Sequence, residues 1–282
     1  MATTIEKPQL RGETKAAVVD LLYRLADDAL FIGHRNSEWT GIGPILEEDI
    51  AFSSMAQDKM GHATVLYGML HELGEAEPNA LAFGRKAEQY RCSSLVVLEC
   101  LAEGGAAAEL SNNPVRDELL SRGDWAVSLV RQFLFSEADA LRWAALEGSA
   151  YEPLAQFAKK LRGEIKYHTM HGRIMMEKLG RAAESKGRLQ TSLDSLYPHA
   201  LGLFEPTKHD AALTEAGICP REAELCKAWE AQVVAILERC GLKAPRNAKP
   251  VYGGRQGKHP PEMREVLDAL QKVYRLDPAA QW

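Results

Sequence analysis

Two helical motifs each place a histidine four residues after an acid. The histidines are His62 in Ala56-Gln57-Asp58-Lys59-Met60-Gly61-His62-Ala63 and His168 in Gly163-Glu164-Ile165-Lys166-Tyr167-His168. On a helix, residues three or four apart share a face, so each set can converge on one point. A further carboxylate precedes each histidine on the helix before it: Asp28 lies 34 residues ahead of His62, and Glu137 lies 31 ahead of His168. Four-helix carboxylate bundles hold a pair of iron ions in this two-by-two way, one helix of each half giving a Glu and the next a Glu-x-x-His. Here the positions three before each histidine are Lys59 and Ile165. An ammonium has no lone pair for iron, and a sec-butyl group cannot ligate.

A lysine aimed into carboxylates can take over the charge of a missing metal, because burying the acids unpaired would be expensive. The spacing therefore predicts a degenerate metal-site network of Asp28, Lys59, His62, Glu137, Glu164 and His168. In it Lys59 bridges to Glu137 and Asp28, with the histidines as hydrogen-bonding neighbours. A competing reading keeps a mononuclear or irregular metal site on Asp58, His62, Glu137, Glu164 and His168. The blandest reading makes the histidines ordinary partly buried residues and the charges solvated; the paired recurrence of the motif weighs against it.

The elements that must position these residues read as helices. Apolar residues recur every three or four positions over Ala16–Trp39, Ile45–Leu73, Ala87–Leu110, Val115–Gly148 and Pro153–Leu179. From about residue 190 the periods shorten, with one good helix over Arg221–Cys240, an irregular arm over Leu242–Pro261 and a last helix over Glu262–Arg275. No period-two run suggests a strand, so the expected fold is an all-α four-helix bundle with additional helices and an irregular C-terminal arm. Residues 1–15 read as an N-terminal extension, and 16–282 as a single domain that includes an appendage from about 190.

Composition narrows the function classes. The chain has 282 residues, 46% hydrophobic and 26% charged, with 34 Lys and Arg against 39 Asp and Glu for a net charge of −5. That balance gives no general attraction for nucleic acid or anionic lipid. No apolar run approaches the length of a membrane span, and the N-terminus lacks the basic start and apolar core of a signal peptide, so a cytoplasmic location is expected. Five cysteines, Cys92, Cys100, Cys219, Cys226 and Cys240, form no C-x-x-C pair and read as reduced, buried thiols.

Four stretches resemble one known family. They are Leu25-Ala26-Asp27-Asp28-Ala29-Leu30 with Ser37-Glu38-Trp39; Ile45 through Ala63; Glu164-Ile165-Lys166-Tyr167-His168; and a tail with Trp229-Glu230-Ala231, Gly253-Gly254-Arg255-Gln256-Gly257-Lys258-His259 and Gln281-Trp282. Together they resemble the non-catalytic, ferritin-like structural (PaaC-type) subunits of bacterial ring-1,2-phenylacetyl-CoA epoxidase. The resemblance implies a ferritin-like fold and a partner, a related catalytic di-iron subunit that binds the CoA thioester and activates oxygen. It also implies a separate flavin and iron–sulfur reductase that supplies electrons. Iron then belongs to the catalytic partner, with no cofactor in this chain. In that partner the motif reads Gln-Asp-Glu-x-x-His; here Lys59 and Ile165 hold the glutamate places, so no catalytic residue carries over. His62 departs the other way, since some structural members lack a histidine there.

The glycine-rich tail can be read independently as an anion cradle or interface, with Arg255, Lys258 and His259 adding positive charge; the plainer alternative is a tight turn. Trp39, Trp125, Trp143, Trp229 and Trp282 read as core or interface anchors. His34, His71, His171, His199 and His209 receive no role. Three functions remain to be separated: a silent oxygenase subunit in a homodimer or hetero-oligomer, an autonomous ferritin-like metal oxidoreductase, and a stand-alone homodimeric bundle.

Overall fold

The computed structural model describes residues 10–99 and 124–280. Cys100, Trp282 and the expected helical stretches 100–110 and 115–123 lie outside the described residues. Ten α-helices are described: α1 (Gly12–Ser37), α2 (Leu46–Glu72), α3 (Pro78–Phe83), α4 (Ser94–Val97), α5 (Trp125–Leu146), α6 (Glu152–Leu179), α7 (Ala183–Leu201), α8 (Asp210–Glu215), α9 (Glu222–Arg239) and α10 (Glu262–Leu276). There is no strand among the described residues, and none of the described helices is long and apolar enough to cross a membrane.

The ferritin-like bundle is built from two long pairs, α1 along α2 and α5 along α6. Local chemistry sets their starts. Asp124 caps α5 by accepting the Ala126 N–H at 2.8 Å, Pro153 sits in the first turn of α6, and Glu47, Glu48 and Asp49 complement the positive end of α2. The pairs are joined by buried polar contacts, Asn36 Nδ2 to Gln132 Oε1 at 2.7 Å and Trp39 Nε1 to Ser128 Oγ at 2.7 Å.

The sequence expectations need four adjustments. Residues 12–15, read as part of an extension, form the first turn of α1. The stretch from Ala87 is not one helix: between Ala87–Gln89 and Ser94–Val97 the chain is extended. The cause is the Asp27–Asp28 pair on α1, whose carboxylates accept the Arg91 N–H at 2.6 Å and the Ser93 N–H at 2.8 Å and so satisfy the backbone without helix. Helix α7 is absent from the periodicity reading because Pro198 sits inside it and Gly187 near its start. Lastly, the appendage is part of the core: α7 and α9 both pack on α5, and the fully buried Trp229 of α9 donates to Leu134 O at 3.1 Å.

Candidate functional site

Lys59 enters the bundle from the middle of α2 with 1% of its surface exposed. Its ammonium donates to Asp139 Oδ2 on α5, sits 3.4 Å from His62 Nδ1 and lies 5.5 Å from the centre of the Phe135 ring. The lysine is thus buried inside the bundle. Its acid is neither Glu137 nor Asp28, and this corrects the expected network. Every residue of α5 from Ser128 to Ala138 is buried, so the helix has no solvent face there to tell inward from outward acids. Glu137 turns toward α6 and α9, while Asp139 turns toward α2.

The two histidine motifs interlock across α2 and α6. His62 Nε2 meets Glu164 Oε2 at 2.7 Å, and His168 Nε2 meets Asp58 Oδ2 at 2.9 Å. Each helix gives one acid and one histidine to the crossed pairs. Desolvation, reinforced by the Lys59 charge, pushes both imidazoles down to about 2, so both are neutral at pH 7. The network then assigns the proton of each ring to Nε2, donating to its carboxylate. His62 Nδ1 is left to accept from Lys59, while His168 Nδ1 has no partner. Asp58 and Glu164 are each raised by partial burial, Glu164 also by Asp58, with Lys59 opposing both.

The other two acids of the expected site are held by arginines. Asp28 accepts from Arg255 Nη1 at 2.9 Å and Nη2 at 2.7 Å, a fork-on-fork pair between α1 and the C-terminal arm. Glu137, fully buried, accepts from Arg173 Nε at 2.6 Å and Nη2 at 2.7 Å, and from Gln232.

The glycine-rich tail does cradle an anion, and the anion is internal. Glu205 Oε2 accepts the N–H of Gly253 at 2.7 Å and of Arg255 at 3.2 Å, and Oε1 accepts from Gln256 Nε2 at 3.0 Å. The Arg255 side chain is buried on Asp28, Arg91 O and Leu203 O, so it is not an exposed contact. His259 is turned inward to Tyr90 O at 3.2 Å, and of the three predicted cations only Lys258 is exposed. The loop must come this close: Gly257 has φ +78°, and a Cβ there would fall 2.1 Å from Glu88 O.

Asp27 anchors a second cluster that sequence reasoning missed. It accepts from Tyr67 Oη at 2.6 Å and from Arg85, whose guanidinium lies over Tyr90 at 4.0 Å and Tyr23 at 5.0 Å. The Asp27-Asp28 dipeptide was its only signal. The tryptophans are core anchors where described: Trp39 packs edge-on to Trp125, and Trp143 stands beside His62. Cys92, Cys219, Cys226 and Cys240 are free thiols. Of the unassigned histidines, His171 meets Glu48 at 3.0 Å and His199 meets Ser94 Oγ at 2.8 Å.

The donor set in this arrangement does not fit a di-iron pair. Both nitrogens of His62 are engaged, Asp28 and Glu137 face arginines, and an ammonium occupies the middle. Among the described residues no three His, Cys, Asp or Glu side chains form a metal-holding group. As an electrostatic device, the centre can hold α2, α5 and α6 in register around one internal cation.

A family model for phenylacetic acid catabolic proteins matches residues 1–282. The C component of the 1,2-phenylacetyl-CoA epoxidase of Escherichia coli (strain K12) is 28% identical over 261 residues, covering 92% of this chain and 96% of that protein.

Proposed function

The chain belongs to the phenylacetic acid catabolic protein family, and from that premise we propose that it is a non-catalytic, ferritin-like subunit of a phenylacetyl-CoA ring-epoxidising oxygenase. In this reading it supports a separate, related catalytic subunit that holds the di-iron centre, and it contributes a rigid helical body to the complex.

The observation that carries the reading is the Lys59 ammonium held between Asp139 and His62 at the centre of the bundle. A positive charge in that place does the structural work of a metal without offering a ligand. The arginines on Asp28 and Glu137 complete the replacement. A non-catalytic role predicts that the purified chain takes up no stoichiometric iron and that it co-purifies with a second ferritin-like subunit. Tight binding of two iron equivalents per chain overturns it. Lys59→Glu restores part of a ligand set, so it should raise iron affinity while lowering stability in metal-free buffer through carboxylate repulsion.

One arrangement favours a second reading. Asp58, His62, Glu164 and His168 are paired across two helices with neutral imidazoles, the ingredients of an irregular iron or manganese site in an autonomous oxidoreductase. Oxygen uptake by the isolated chain with added iron and reductant would favour it.

A further inference from the structure

Beside the lysine lies a cavity of about 20 Å³. Its polar wall is Asp28, Lys59, His62, Asp139 and Arg142, and its apolar wall includes Ala138 and Trp143. Roughly 10–15 Å³ of such space accommodates one water molecule, provided that two to four polar groups reach it. Larger ligands are excluded by size. An ion is disfavoured by charge, since the wall carries two cationic and two anionic side chains around a neutral imidazole.

Among the groups on this wall, Lys59 keeps a spare donor and Asp28 a spare acceptor. Lys59 directs two of its three N–H groups to Asp139 and His62. Asp28 uses Oδ1 for Ser93 N and Arg255 Nη1, but Oδ2 for Arg255 Nη2 alone, so one Oδ2 lone pair remains. We propose that a single resident water fills this cavity, accepting a hydrogen bond from the Lys59 ammonium and donating one to Asp28 Oδ2. The lysine and Asp28, which have no direct contact, are thereby joined into one network. The network runs from Asp139 and the His62–Glu164 pair to Arg255 and the C-terminal arm. It holds whether or not the chain serves an oxygenase, since it uses only the cavity and the positions of Lys59 and Asp28.

The test is a high-resolution crystal structure of the full chain together with counting of long-lived waters by oxygen-17 relaxation dispersion. The expected result is one density peak at water height, about 3 Å from Lys59 Nζ and Asp28 Oδ2. Ala138→Val, which projects two methyls into the space, should lose that peak and one long-lived water while the Lys59 to Asp139 pair stays in place. The proposal is overturned by a wild-type cavity without density, by a peak with metal anomalous signal, or by a variant that retains the full water count. If the variant fails to fold, the wild-type density decides alone. A metal peak also removes the silent-centre reading of function; a dry cavity with Lys59 in place leaves that reading untouched.

Discussion

Asp28 and Glu137 hold corresponding places in the two helix pairs, and each is neutralised by an arginine, yet the two solutions differ. Arg255 is 5% exposed and comes from a segment 227 residues away, whereas Arg173 is 44% exposed at its side chain and reaches in from the surface of neighbouring α6. One pair is sealed among backbone carbonyls and ties the arm to the bundle; the other is a lid that water can reach. Removing a sealed partner strands a charge in the interior, while removing a lid lets solvent take its place.

Variants can break or sharpen that contrast. Arg255→Ala should be the most damaging, about 3–5 kcal/mol in urea unfolding, because Asp28 loses both hydrogen bonds of the fork and the arm loses its anchor. Lys59→Met should cost about 3 kcal/mol by stranding Asp139, and adding Asp139→Leu should restore most of it, since an apolar pair can replace a buried ion pair. Failure of the double variant to recover would show that the lysine's contact with His62 carries much of its contribution.

Acid should act through the histidines. Both are lowered to about 2, so below their ordinary value of 6.5 the unfolded chain binds protons that the folded chain refuses. Their contribution is fully present above pH 6.5 and is lost progressively as pH falls. At pH 5 the loss is on the order of 2 kcal/mol per histidine. Asp58 and Glu164 are raised, which adds stability on the acid side of their own range, so the histidine slope is read between pH 6.5 and 5. His168→Gln, which can still donate to Asp58, should make that slope shallower by one proton. A slope unchanged in this variant would mean that His168 is charged in the folded protein.

The smallest effect belongs to the lid. Arg173→Ala should cost about 1–2 kcal/mol, since Gln232 stays on Glu137 and water can enter. A cost equal to that of Arg255→Ala would erase the distinction between the two pairs.

What could be read in advance followed the range of the interaction. Helices and the central lysine depend on spacings of three and four residues, and the crossed histidine pairs involve residues that the same spacing singled out. The partners did not follow. Asp139 is hidden because the eleven residues of α5 before it are all buried and give no solvent face to set its side, and Arg255 because its acid is 227 residues upstream. The expected helix from Ala87 failed for a related reason: two side chains on α1 offered its backbone acceptors that no local pattern reveals. The tail illustrates a correct chemistry with the wrong ligand, since the glycines do gather N–H groups around an anion, and Glu205 supplies it.

The order in which the polypeptide is made gives the sealed pair a temporal meaning. Until residue 255 has been synthesised, the first long helix carries a carboxylate with no countercharge of its own, and its neighbour Asp27 waits only for Arg85. The bundle can therefore begin to assemble early, but its final locking is deferred to the late arrival of a short loop, which makes the arm a latch on folding rather than an ornament of the fold.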